Sequence, residues 1–175
     1  MILILSGSPR KNSINSGLAK YIQNAYEQYN VESLIFDLSS TQLPLFTDEE
    51  SDYDNENVQK LLKYVEKATS IVICTPEYHN AVSGALKNCL DFLNRDHFFN
   101  KKILMFVAGC HGKGGINALN NLRLIMRGVA ADVSPQQHVI DGEYFDEEQN
   151  LVHEEHQLIV KELIYSLVQF TETKV

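Results

Sequence analysis

Short apolar runs alternate along this chain with segments whose apolar residues are spaced three and four apart. The runs cover residues 1–5, 31–38, 71–75 and 102–108, and a last one lies within 130–140. A continuous apolar run predicts a strand that is buried on both faces, and a stripe at spacings of three and four predicts an amphipathic helix. Strands that alternate with helices indicate a parallel sheet with helices on both sides.

Two of the predicted strands differ from the rest. In 31–38, the apolar residues Leu34, Phe36 and Leu38 alternate with other positions, which favours an edge of the sheet. The last strand is predicted in two pieces, 130–133 and 139–140, because Pro135 interrupts it. We predict an α/β fold: a three-layer α/β/α sandwich around a five-stranded parallel sheet in the flavodoxin-like order 2-1-3-4-5, ended by a helix over about 151–171.

Composition narrows the class of protein. The chain has 175 residues, a hydrophobic content of 44% and a net charge of −8. These values predict one globular domain over residues 1–175 and argue against a nucleic-acid partner. The three cysteines have no paired spacing, which favours a reducing compartment. Without a signal peptide or an apolar run long enough to cross a bilayer, the expectation is a cytoplasmic protein with no membrane partner.

In that strand order, the turns after strands 1, 3 and 4 lie at one edge of the sheet, where ligands bind. The first turn, residues 7–15, reads Gly-Ser-Pro-Arg-Lys-Asn-Ser-Ile-Asn. Its hydroxyls, its guanidinium and the start of the following helix favour an anion such as phosphate. It is neither a Walker P-loop nor a Gly-x-Gly-x-x-Gly fingerprint, which argues against an NAD-dependent Rossmann dehydrogenase.

The second turn, residues 76–83, offers Pro76 to stiffen the backbone and the flat face of Tyr78. Glu77 is a candidate base, although a lone carboxylate beside a turn is more often a hydrogen-bonding group. His79 has no second ligand at a helical spacing, so no metal site is predicted. The third turn, residues 109–115, is dense in glycine and lets the main chain approach a ligand. Together the three turns suit a mononucleotide with a planar head, and flavin mononucleotide (FMN) fits best.

The residues of these turns resemble the motifs of the NAD(P)H-dependent FMN reductase family. Gly7-Ser8-x-Arg10-x-x-Ser13-x-Asn15 resembles its phosphate loop, and Pro76-Glu77-Tyr78-His79, followed by Ser83-Gly84-x-Leu86-Lys87-Asn88, resembles its flavin-ring motif. The departures are Pro9 in place of the commoner Leu, Asn80 where Gly is frequent and Ser83 where Pro is frequent. The family includes quinone, azo-dye and chromate reductases.

The resemblance implies that the first turn holds the FMN phosphate and that the second turn lines the isoalloxazine ring. No catalytic side chain and no metal ligand are predicted. The predicted cofactor-binding residues are Ser8, Arg10, Ser13, Ile14, Asn15, Pro76, Glu77, Tyr78, His79, Asn80, Ala81, Gly109, His111 and Gly112.

The implied activity is that of an FMN-dependent oxidoreductase. NADPH or NADH would pass a hydride to N5 of FMN, and a small-molecule acceptor such as a flavin, quinone or azo compound would then take the electrons. The resemblance also implies a homodimer or homotetramer. Two alternatives share the fold: a flavodoxin-like electron carrier, and a flavin-binding sensor without redox activity.

Overall fold

The computed structural model describes residues 1–110 and 114–172. Its centre is a five-stranded sheet in the order β2-β1-β3-β4-β5 with every neighbouring pair parallel. The strands are β1 (Ile2–Ser6), β2 (Ser33–Asp37), β3 (Ser70–Thr75), β4 (Lys102–Cys110) and β5 (Asp132–Asp141). The helices are α1 (Ile14–Gln28), α2 (Glu56–Lys67), α3 (Gly84–Asp91), α4 (Arg95–Phe98), α5 (Ile116–Gly128) and α6 (Glu154–Glu172). The predicted fold and strand order are confirmed.

Two apolar cores lie on opposite faces of the sheet, because successive side chains of a strand point to opposite sides. In β1, Leu3 and Leu5 face the core that α2, α3 and α5 cover. Ile2 and Ile4 face the core that α1 and α6 cover. The central strands are therefore buried on both faces, as their unbroken apolar sequences predict.

The edge strands explain the two exceptions in the sequence pattern. β2 is an edge strand, which confirms the expectation from its alternating residues. The prediction of a broken last strand is wrong, since β5 runs continuously through Pro135. Ile103 pairs with Val133 and Met105 with Gln137, so three residues of β5 stand opposite Leu104. A proline fits such a bulge in an edge strand because it has no N–H to donate to the ladder.

Three local features complete the fold, and one of them, the start of α6, differs from the sequence expectation. The short helix α4 follows α3 after residues 92–94. Helix α6 begins at Glu154 rather than near 151. The polar segment after β2 contains a 3₁₀ turn at Glu50–Asp54 and is held by Asn88, whose amide donates to the Pro44 carbonyl at 2.8 Å and accepts from the Phe46 amide at 2.9 Å.

Candidate functional site

The carboxyl end of the sheet holds a cavity of about 270 Å³ where the first, second and third turns meet. It lies at the crevice between β1 and β3, at which the strand order reverses, as expected for this topology. The residues around it are Ser8, Arg10, Asn12, Ser13, Ile14, Asn15, Pro76, Glu77, Tyr78, Ala108, Gly109 and Gln149. The structure therefore brings together nine of the fourteen residues predicted from the sequence.

The first turn presents the N-terminus of α1 to this cavity. Ser13 caps the helix: its Oγ accepts the Ser16 amide at 3.0 Å and lies 2.8 Å from Ser16 Oγ. The other N–H groups of a first helical turn have no partner within the helix, and the helix dipole places partial positive charge there. Arg10 is exposed at the rim and makes no ion pair with any residue that the structure describes. This end of the cavity favours an anion.

Asn15 connects the first turn to β4. Its Nδ2 donates to the Ala108 carbonyl at 3.1 Å, which fixes the orientation of the amide. That orientation leaves Oδ1 buried and without a hydrogen-bond partner among the described residues. A buried acceptor without a partner is costly, so this oxygen is suited to a ligand that carries a hydroxyl.

The second turn is a tight hairpin. Tyr78 and Ala81 exchange backbone hydrogen bonds of 2.9 and 3.1 Å. The two central residues, His79 and Asn80, have φ of 51° and 62°. This is the type I′ pattern, which asparagine tolerates and which explains how Asn80 replaces the frequent glycine. His79 and Asn80 lie at the exposed tip of the hairpin, and neither they nor Ala81 lines the cavity.

Ser83 joins the second turn to the first. Its hydroxyl donates to the Gly7 carbonyl, and its Oγ accepts the Leu86 amide at 3.0 Å as the cap of α3. Gly7 leaves little room between the two turns: a Cβ there would lie 3.1 Å from the Cys74 carbonyl and from Leu86. The hydroxyl thus performs a structural task that a proline at this position cannot.

The third turn is described only in part. Gly109 lines the cavity with φ of 93°, a conformation that favours glycine. The predicted site residues His111 and Gly112 lie outside the described residues.

On the other side of this gap, Gly115 precedes α5, and its amide donates to Glu77 Oε2 at 2.9 Å. The Ala118 amide donates to the same oxygen at 2.9 Å. Glu77 is therefore a helix-capping carboxylate, which fits the hydrogen-bonding interpretation better than that of a base.

Sequence reasoning missed three residues that line the cavity: Asn12, Ala108 and Gln149. Gln149 comes from a turn beyond β5 that Asp146 organises, since its carboxylate accepts the amides of Glu148 and Asn150. This turn packs directly on α1, where a Cβ at Gly17 would overlap the Gln149 carbonyl. Gly17 was the one available signal, because a glycine inside a helix often marks a close approach.

Two of the cysteines, Cys74 and Cys89, lie in the core and not in the lining of the cavity. Cys74 is fully buried in β3, and burial raises the pKa of its thiol. The pKa of the Cys89 thiol is raised for the same reason. Both cysteines act as small core residues. The cavity thus offers polar contacts, backbone amides and a ring face for binding.

Comparison with known proteins decides the family. The family model for NADPH-dependent FMN reductase matches residues 1–146. The chain belongs to this family.

Two curated relatives support the assignment. The chain is 40% identical to an NADPH azoreductase of Bacillus sp. (strain OY1-2) over 99% of this chain and 96% of the relative. It is 32% identical to an FMN-dependent NADPH-azoreductase of Staphylococcus aureus, over 77% of this chain and 73% of the relative. A solved flavoenzyme NAD(P)H:(acceptor) oxidoreductase from Paracoccus denitrificans shares the fold, with a TM-score of 0.80, 21% identity and coverage of 98% and 97%.

These findings confirm the predicted family, the enzyme class and the use of FMN and NAD(P)H. They favour the reductase over the electron carrier and the sensor. Among residues 1–110 and 114–172, no helix is both long and apolar enough to span a bilayer.

The described residues fit the FMN of this reductase family. A phosphate needs amides and a cation, which the start of α1 and Arg10 supply. A ribityl chain carries hydroxyls, and the buried Asn15 Oδ1 is an acceptor without a partner. The hydroxyl of Tyr78, also buried and without a partner among the described residues, adds a second such atom on a residue at the cavity.

Proposed function

We propose that the cavity binds FMN with its phosphate at the first turn and its ring on the second, and that the enzyme reduces azo or quinone compounds with NAD(P)H. The observation that carries this proposal is the meeting of the three motif turns around one cavity. The names of the two curated relatives support an azo compound as the acceptor class.

In this arrangement, Ser8, Arg10, Ser13, Ile14 and Asn15 contact the phosphate and the ribityl chain. Pro76, Glu77, Tyr78 and Gly109 form the wall beside the ring. His79, Asn80 and Ala81 act from outside the cavity by shaping the hairpin that presents Tyr78. His111 and Gly112 stay predictions, since they fall outside the described residues.

When bound in this cavity, FMN would supply the redox chemistry, namely hydride transfer from the nicotinamide and delivery of electrons to the acceptor. The role of the protein is to bind the cofactor and to orient it. The start of α1 and Arg10 would hold the anionic end of the cofactor, and the type I′ hairpin would present Tyr78 to the ring. The Glu77 carboxylate caps α5, so we assign it no role in proton transfer.

The proposal extends to the state of the protein in the cell. We infer a single domain over residues 1–175, a cytoplasmic location and a homodimer or homotetramer. The sheet with its two covered faces supports the first. Exposed apolar residues on α5 and α6, including Leu124 and Leu158, support an oligomer, because such side chains are frequent in subunit interfaces.

Rapid mixing of the FMN-loaded protein with NADPH or NADH tests the function. We expect bleaching of the flavin absorbance much faster than that of free FMN, followed by reoxidation when an azo dye or a quinone is added. A flavin that bleaches no faster than free FMN contradicts the proposal. A reduced flavin that neither class of acceptor reoxidises contradicts the acceptor assignment alone.

A further inference from the structure

Helix α5 begins at a residue that cannot cap it. Gly115 has φ of 98°, and a Cβ there would lie 2.6 Å from Val139 Cγ1 and 3.1 Å from Val107 Cγ1. Serine, threonine, aspartate and asparagine, the usual caps, are therefore excluded both by backbone conformation and by space. The amides at the start of α5 need an acceptor from elsewhere in the chain.

Glu77 supplies this acceptor from the second turn. Its Oε2 accepts the Gly115 and Ala118 amides, both at 2.9 Å, across 38 and 41 residues of sequence. The spacing of those two amides is that of an N-cap residue and the third residue of its helix. A carboxylate at this position also offsets the partial positive charge of the helix end. The side chain thus replaces a local cap in both hydrogen bonding and charge.

Two further contacts join the same elements. Asn117 Nδ2 donates to Asn80 Oδ1 at 3.1 Å, and the Val82 amide donates to Asn121 Oδ1 at 3.4 Å. The second turn and the first turns of α5 are consequently linked at three points. Glu77 provides the one charged link among these three, and it alone of the linking residues lines the cavity.

We propose that Glu77 is a positioning residue that fastens α5 to the second turn, and thereby keeps the end of α5 from competing with α1 for the anionic end of the cofactor. Two helix N-termini lie near the cavity, those of α1 and α5. With the α5 end closed by a carboxylate, the α1 end with Arg10 is the site for phosphate. The inference rests on the proposed function where it names FMN as the ligand.

Amide exchange and cofactor binding in Glu77→Ala and Glu77→Gln test this role. In Glu77→Ala, we expect the Gly115 and Ala118 amides to exchange at least about tenfold faster by NMR, and FMN to bind about tenfold more weakly by fluorescence quenching. Glu77→Gln keeps an acceptor oxygen and should restore most of the protection. Asn55→Ala is the matched control, since Asn55 caps α2 through two amides away from the cavity. It should lower stability while leaving the affinity for FMN within twofold.

Two results overturn the inference: unchanged exchange of the two amides in Glu77→Ala, or faster exchange with unaltered FMN affinity. If the parent protein binds no FMN, the proposed function fails by itself. The exchange rates of the apoprotein then still decide whether Glu77 closes α5.

Discussion

The first and second turns both contact the cavity, but they use their polar groups in opposite ways. In the first turn, Arg10 makes no ion pair and Asn15 Oδ1 has no hydrogen-bond partner among the described residues. In the second turn, the polar groups that shape the backbone are bonded to protein, whereas the Tyr78 hydroxyl has no partner among the described residues. Glu77 caps α5, and Ser83 caps α3 and holds Gly7.

This difference suggests that the first turn governs the affinity for the cofactor and that the second turn governs the shape of the cavity wall. Open charged and polar groups gain their partners when a ligand arrives, so the first turn should supply binding energy for the phosphate. Groups that are already bonded fix a surface, so the second turn should act through the form of the hairpin. Substitutions in the first turn should therefore change cofactor affinity. Substitutions in the second turn should change the stability of the fold, except at Glu77, which lines the cavity and positions α5 and should also affect affinity.

Arg10→Ala should have the largest effect. A hydrogen bond to a charged group contributes about 2 kcal/mol, so FMN should bind about 30-fold more weakly. Thermal stability should stay unchanged because the side chain is exposed and unpaired among the described residues. Fluorescence quenching and thermal unfolding measure the two quantities.

Lys11→Ala is the matched control for Arg10→Ala. It also removes one positive charge, and the Lys11 side chain is adjacent in sequence but does not line the cavity. Its affinity for FMN should fall by less than threefold, as expected for a screened surface charge. Equal losses in the two variants would show that net charge, rather than a contact from Arg10, governs binding.

Gly17→Ala tests the close packing of the Gln149 turn on α1. Alanine favours a helix over glycine by about 1 kcal/mol, yet its Cβ would overlap the Gln149 carbonyl. The steric overlap should outweigh the gain in helix propensity, so the free energy of unfolding measured in urea should fall by about 1–3 kcal/mol. Gly128→Ala is the control, since a Cβ there meets nothing within 4 Å. A Gly17→Ala protein as stable as Gly128→Ala contradicts the close approach of Gln149.

Asn80 tests the second turn. Asn80→Ala should lower the free energy of unfolding by about 1 kcal/mol, because alanine tolerates φ of 62° poorly. Asn80→Gly suits that conformation and should cost less, although it also loses the Asn117 contact. Urea unfolding measures both. Because both variants lose the bond to Asn117, their difference reports on the backbone, and a glycine variant no more stable than the alanine variant would contradict the requirement for positive φ at this position.

The smallest expected effect is a loss of stability at acidic pH, and it arises from a histidine pair outside both turns. His138 Nε2 and His156 Nδ1 are 2.8 Å apart between β5 and α6. Desolvation lowers the pKa of each imidazole. His156 lowers the pKa of His138 further and His153 that of His156, while Glu155 opposes the shift at both and Asp141 at His156. His153 and Tyr144 complete the cluster.

Because the folded pKa values lie below that of an unfolded histidine, about 6.5, the unfolded chain binds more protons in this range. The contribution of the pair is complete above that pH and is lost as the pH falls through the folded pKa values. Urea unfolding of the apoprotein at a series of pH values should show this decline. His156→Gln should flatten it, and an unaltered slope in that variant contradicts the assignment.

Sequence reasoning reached most of the cavity because its residues follow strand ends within local motifs. It missed what distant segments contribute. Gln149 reaches the cavity only through the close packing of its turn on Gly17, and the carboxylate of Glu77 is engaged by amides far along the chain. The prediction of a break at Pro135 is wrong because the bulge depends on the register of β5 with β4, which the sequence of β5 alone does not contain.

The most direct test of the account compares FMN with riboflavin, which lacks the phosphate, in titrations of the apoprotein. If the first turn supplies the binding energy, FMN should bind at least about 100-fold more tightly than riboflavin. Arg10→Ala should narrow that ratio, and Asn80→Ala should leave it unchanged. Equal affinities for the two flavins in the parent protein would contradict the assignment of the phosphate to the first turn.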